Sequence, residues 1–112
     1  MSTTSRGREA EDLVAELLAK KKHKVIVKNW RTRRCEIDIV SIRKKVVYFT
    51  EVKYRSSSNW GEGMQYVTAI KLKQMRFAAE IWMHENNWSG DALMMVASVD
   101  GEGTVDIVPI DC

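Results

Sequence analysis

Residues 36–53 read Glu-Ile-Asp-Ile-Val-Ser-Ile-Arg-Lys-Lys-Val-Val-Tyr-Phe-Thr-Glu-Val-Lys. Two β-rich runs, Glu36 to Ile42 and Val46 to Lys53, flank a basic turn and predict a hairpin. Side chains alternate along an extended strand, so Glu36 and Asp38 share one face while Ile37 and Ile39 take the other. On the following strand Glu51 and Lys53 share a face, with Val52 opposed. A two-residue loop at Arg43-Lys44, pairing Ile42 with Lys45, brings the two acidic sets to the same face, and a four-residue loop does so too. Asp38 then lies directly or diagonally opposite Glu51, about 4.5–8 Å away by strand geometry.

Working outward, Lys24 to Asn29 predicts another strand. Before it, Arg8 to Lys21 predicts a helix: Ala10, Leu13, Val14, Leu17 and Leu18 recur at helical spacing, with acids in the first turn and lysines in the last. After the hairpin comes a polar, glycine-bearing loop from Ser56 to Gly63. A second helix, roughly Thr68 to Asn86, follows, with Leu72, Met75, Ala78, Ala79, Trp82 and Met83 as its apolar stripe. Ala92 to Val99 and Thr104 to Ile110 predict two last strands around Asp100-Gly101-Glu102-Gly103. The order αβββαββ implies the α/β class, a mixed β-sheet flanked by helices.

With 112 residues, 45% of them hydrophobic, the chain suffices for one core and not for two, so a single domain over 1–112 is expected. One proline and six scattered glycines leave no linker. Apolar runs are too short for a membrane span, and the stretch after Met1 leads directly into charges, so neither a signal peptide nor a membrane partner is expected. Cys35 and Cys112 have no disulfide or zinc spacing; free thiols and a cytoplasmic location fit. The net charge of +3 is mild, but from Lys20 to Lys45 eleven Lys or Arg face only Glu36 and Asp38. A polyanionic partner such as DNA and a merely solvated basic surface both explain that asymmetry.

The Asp38–Glu51 spacing suits two carboxylates sharing one hard cation. Magnesium takes oxygen ligands and keeps several waters, so two carboxylates and a backbone carbonyl suffice. Unpaired, such carboxylates would repel and raise one pKa. Lys53, on the face of Glu51, would orient or help deprotonate a water on the cation, or stabilise transition-state charge. A bare Glu-x-Lys on a strand is commonly only a salt-bridged solvated face. An acid before a basic turn, then a hydrophobic strand ending in Glu-Val-Lys, is the rarer combination. His23 and His84 have no partners at metal or triad spacing and are expected at the surface. Trp82 is expected in the core, and Trp60, beside Gly61, is the best candidate for stacking on a base.

The motifs Gly7-x-x-Ala10-Glu11, Asn29-Trp30-Arg31, Glu36-Ile37-Asp38-Ile39-Val40 and Phe49-Thr50-Glu51-Val52-Lys53-Tyr54-Arg55 resemble the YraN family of predicted endonucleases. That family is related to archaeal Holliday-junction resolvases within the PD-(D/E)XK superfamily. Trp60-Gly61, Val67-Thr68 and Lys71 extend the resemblance, which runs from about Gly7 to Ala79 and is weak in the C-terminal strands. Ala10 and Cys35 stand where the family usually has glycine, and Met94 where an aspartate is common. The resemblance implies a restriction-endonuclease-like core and a Mg2+- or Mn2+-dependent endonuclease acting on DNA, on branched recombination or repair intermediates. It makes Asp38 and Glu51 metal ligands with the Val52 carbonyl as a third, Lys53 the catalytic lysine and Glu11 an auxiliary acid. Lys71 would line the site from the second helix. Arg31, Arg33 and Arg34 of the basic segment are expected to meet phosphates, and Arg55, Trp60 and Lys71 complete the expected DNA surface. If the likeness to resolvases extends to mechanism, a C2 homodimer follows, with the apolar Ala92–Val96 strand and Trp88 as its contact. The competing readings are a DNA-binding accessory protein that keeps this fold without cutting, and a basic protein-interaction module.

Overall fold

The computed structural model describes residues 2–54 and 69–110, with side chains from Gly7 onward. In chain order the elements are α1 (Ser2–Lys20), β1 (Lys24–Arg31), β2 (Glu36–Arg43), β3 (Val46–Tyr54), α2 (Ala69–Glu85), β4 (Asp91–Val99) and β5 (Val105–Ile110). The strands form one five-stranded sheet in the order β1-β2-β3-β4-β5. All neighbours are antiparallel except β3 and β4, which run parallel. A parallel pair needs a long crossover, and α2 is that crossover.

The two helices cover opposite faces, giving three layers and two cores. On one face Ala10, Val14 and Leu18, four residues apart on α1, pack on Ile39, Met95, Ala97 and Val99. On the other, Met75, Ala78, Ala79 and Trp82 of α2 pack on Val47, Phe49 and Met94. Trp82 meets Phe49 edge-on at 5.6 Å, the arrangement favoured by ring quadrupoles. The buried stripe of α1 is narrower than its spacing predicted, since Leu13 remains 38% exposed. β4 is buried without a break from Met94 to Val99, because a strand covered on both faces has no solvent side.

Both helices stop by the same device. Lys22 and Asn87 adopt left-handed φ of 75° and 51°. The next amides then reach back, His23 to the Leu18 carbonyl and Trp88 to the Met83 carbonyl, both at 2.9 Å. These six-to-one bonds satisfy carbonyls that the helix end would otherwise leave open.

Several expectations change in detail. The hairpin pairs Arg43 with Val46, and its loop is Lys44-Lys45, one residue later than expected. That shift keeps the parity of the pairing, but the ladder stops at Ile39–Thr50, one position short of Asp38 and Glu51. His23 is only partly exposed and is not without partners: its ring lies edge-on to Tyr48 at 4.5 Å, with Nδ1 3.0 Å from Ser41 Oγ. Burial and the charges of Arg43 and Lys21 hold its pKa below the usual value. The strand expected to form a dimer contact is interior, between β3 and β5. Met94, Met95 and Val96 are buried there, and Trp88 packs partly into the α2-side core. The apolar surface that motivated a dimer at this strand is thus largely covered within the monomer.

Lys44 and Lys45 hold φ of 51° and 66°, the primed turn that matches strand twist and favours Asn-Gly. A side chain with a Cβ is strained there by about 1–2 kcal/mol per residue. The double variant Lys44→Asn, Lys45→Gly should therefore raise unfolding free energy by about 1 kcal/mol, read from its urea midpoint. An unchanged or lower midpoint would contradict the assigned turn.

Candidate active site

The site begins where two strands part. The β2–β3 ladder ends at Ile39 and Thr50. Beyond that point β2 stays with β1 through the Trp30–Ile37 and Arg31–Glu36 pairs, while β3 stays with β4 from Glu51–Val96 to Tyr54–Val99. The gap leaves β3 amides without a backbone partner, and the Val52 N–H donates instead to Asp38 Oδ2 at 2.8 Å. In a strand the N–H and C=O of one residue project toward the same neighbour. The Val52 carbonyl therefore opens on the Asp38 side of the gap.

β1 is also irregular opposite the fork. Asn29 lies across from Asp38, between the Lys28–Ile39 and Trp30–Ile37 pairs, with φ of 56°. Asn tolerates that conformation better than most residues. Ile37 and Ile39, expected on one face, instead join different cores, Ile37 the α2 side and Ile39 the α1 side. Asn29 was not anticipated as a site residue; its signal was an Asn at the end of an otherwise apolar strand run. Its Nδ2 donates to Glu11 Oε1 at 2.9 Å, so β1 holds the α1 carboxylate in place.

Glu11, Asp38, Glu36, Asn29 and Arg31 line one cleft of about 420 Å³. Glu9 lines a different one, with Leu13, Tyr54 and Asp100, so the helix brings Glu11 and not Glu9 to Asp38. Across the fork, the Glu51 side chain is 12% exposed, and Oε2 accepts from Lys71 Nζ at 2.9 Å and lies 3.3 Å from Lys53 Nζ. The structure thus brings Glu11, Asp38, Glu51, Val52, Lys53 and Lys71 to the same end of the sheet.

Burial, helped by the charges of Glu51, Glu11 and Glu36 and opposed by the Val52 hydrogen bond, pushes the Asp38 carboxyl up to about 7. Among the described residues two ammonium groups pair with Glu51 and none with Asp38. The balance is uneven: Glu51 is paired with cations of the chain, while Asp38 is held at a raised pKa.

Of the residues expected to meet DNA, Arg31 and Arg34 line a groove with Lys71, and Arg33 is exposed. Arg31 also sits 3.6 Å from Glu36, with both side chains more than half exposed, a pairing of little energetic weight. Arg55 and Trp60 lie outside the described residues. Cys35 is a free thiol packed against the α2-side core. Among the described residues, no three His, Cys, Asp or Glu side chains converge as a ready metal cage.

A carboxyl whose pKa rises from 3.8 to about 7 on folding binds its proton more tightly in the fold. Its contribution to stability is therefore greatest below about pH 4, declines through the window up to about 7 and is flat above. Asp38→Asn keeps an acceptor for Val52 but does not titrate. Without divalent cations, its melting temperature relative to the parent should climb between pH 4 and 8 by several degrees. A difference independent of pH would show that Asp38 ionises normally.

Comparison with known proteins places this chain in a family. The chain matches the model of Uncharacterised protein family UPF0102 over residues 10–110. The match extends through the C-terminal strands, beyond the stretch where the motifs are strong. It is similar to a UPF0102 protein of Cytophaga hutchinsonii, 30% identical over 91% of this chain and 90% of that one. Another, from Pseudomonas syringae pv. syringae, is 33% identical over 86% of this chain and 80% of the relative. A third, from Streptomyces griseus subsp. griseus, is 44% identical over 69% and 65%. The chain belongs to the UPF0102 family, the YraN family that its motifs resemble.

Proposed function

We propose that the protein is a divalent-cation-dependent phosphodiesterase that cuts DNA at the strand fork. The observation that carries this reading is the Asp38 carboxyl, desolvated beside Glu51, Glu11 and Glu36 and held by the Val52 amide. A buried acid surrounded by acids is costly unless something positive relieves it, and a hard cation does so better than a proton. Asp38 and Glu51, with the Val52 carbonyl, would hold Mg2+ or Mn2+. Two carboxylates and one carbonyl suit a cation that retains several waters, which accounts for the lack of a closed cage among the described residues. When bound, the cation supplies concentrated positive charge next to the phosphoryl group.

The chain's own groups do the remaining work. Lys53 Nζ, beside Glu51, donates to negative charge developing on the phosphoryl oxygens. Glu11, tied by Asn29, keeps the far wall of the cleft acidic. Arg31, Arg34 and Lys71 supply positive charge along the neighbouring groove, with Arg33 beside it in sequence. The likeness to junction resolvases supports branched recombination or repair intermediates as the substrate class. With no helix long and apolar enough to cross a membrane among the described residues, cutting in the cytoplasm accords with this reading.

Labelled linear, flapped, single-stranded and four-way DNA, incubated with Mg2+ or Mn2+, tests it. Asp38→Asn and Glu51→Gln should each lower the cutting rate at least about 100-fold while leaving DNA affinity equal or higher. Chelation should silence the parent. Magnesium-dependent cutting retained in either variant would remove the pair from the active site. Binding of every DNA with cutting of none would identify a DNA-binding accessory protein instead.

Neutralising Arg31, Arg33 and Arg34 together should reduce the slope of log affinity against log salt by about 0.9 for each phosphate that is no longer neutralised. The slope is read by titrating labelled DNA over a range of salt. An unchanged slope would place the phosphates against another surface.

A further inference from the structure

Between the β1–β2 turn and α2 lies a groove of about 430 Å³ that the strand fork does not itself explain. Among the described residues, Arg31, Arg34 and Lys71 contribute three cations to its lining, against the single carboxylate of Glu36. Cys35 and Met75 add soft apolar surface, and Gln74 and Phe77 complete the helix wall. Phe77 is 45% exposed. An isolated exposed phenylalanine would be ordinary on any surface; this one borders a cationic groove. The groove also joins the fork, because Lys71 lines it and bonds Glu51 at 2.9 Å.

We infer that this groove is a binding site for one unpaired nucleotide next to the linkage that is cut. The volume falls within the range of about 300–1,000 Å³ typical of small-ligand sites and suits one nucleotide, not a base pair. The three cations match its phosphate, and the Phe77 ring offers a stacking surface indifferent to base identity. The Gln74 amide, one helical turn before Phe77 and Ala78, can hydrogen-bond to a base edge. A base inside a duplex stack cannot enter such a side groove without leaving the stack, which costs least where it is already unpaired. The substrate is then DNA with a single-stranded, bulged, flapped or branched nucleotide at the cleavage point. This inference rests on the reading of Asp38 and Glu51 as the cutting site, since they set which linkage lies beside the groove.

The test is a binding measurement in chelator, where no cutting intervenes. Two fluorescent duplexes differ only in whether one 2-aminopurine is paired or bulged. The parent protein should bind the bulged probe about tenfold more tightly, with its emission quenched by stacking. Phe77→Ala should abolish both the preference and the quenching while leaving affinity for the paired duplex unchanged, and Phe77→Trp should restore them. Circular dichroism checks that the variants fold, which the exposure of Phe77 favours. Equal affinity for the two probes, or an unaltered preference in Phe77→Ala, overturns the site. A protein that prefers the bulge yet never cuts with Mg2+ keeps the groove and loses the phosphodiesterase reading. One that cuts without any preference does the reverse.

Discussion

Everything at this end of the molecule depends on the divergence of β2 and β3 past Ile39 and Thr50. A continued ladder would pair the Val52 amide with backbone and leave Asp38 as one more side chain on a sheet. Because the ladder stops, the amide takes the Asp38 carboxylate, and a carbonyl and two acids face one gap. The divergence is held from outside the hairpin: β1 keeps the start of β2, and β4 keeps the end of β3. A hairpin alone could not maintain it, since isolated strand pairs are marginal in water.

Charge within the gap is distributed by the elements that border it. α1 adds Glu11 on the Asp38 side, and α2 adds Lys71 on the Glu51 side. The sheet therefore separates an acidic cleft from a basic groove, with Glu51 and Lys53 at the boundary. A polyanion approaching from the basic side meets Arg31, Arg34 and Lys71 first. On the acidic side the raised pKa of Asp38 reflects burial beside other carboxylates.

The fold was largely readable in order and type. Helical spacing in α1 and α2, and the β-rich runs on either side of the basic turn, each correspond to an element, although α1 begins at Ser2, six residues before the expected Arg8. The hairpin loop was misplaced by one residue because both frames use two basic residues and only the backbone dihedrals choose between them. The choice fell on Lys44-Lys45, at left-handed φ. The position of β4 was harder to read: an apolar run suits an interior strand or a sticky edge equally well. Only the pairing with both β3 and β5 makes it interior.

For the site, the sequence by itself determined the inventory of candidates: Asp38, Glu51 and Lys53 at strand spacing and a cluster of arginines before the acids, with Glu11 added by the family resemblance. The two-residue period also implied a common face for Asp38 and Glu51 under either loop, but the alternation breaks between Ile37 and Ile39, and Asp38 turns to the Glu11 cleft while Glu51 turns to Lys71. Tertiary structure alone decided that Asn29 takes a left-handed φ and clasps Glu11, that Glu9 is turned to another cleft, and that Lys71 reaches Glu51. It alone assembled the groove of Arg31, Lys71 and Phe77 from segments about forty residues apart. The physical reason is that local periodicity reports which face a side chain takes on its own element. Which faces then meet depends on where strands part and on how a crossover helix is seated, and both are set by contacts between distant segments.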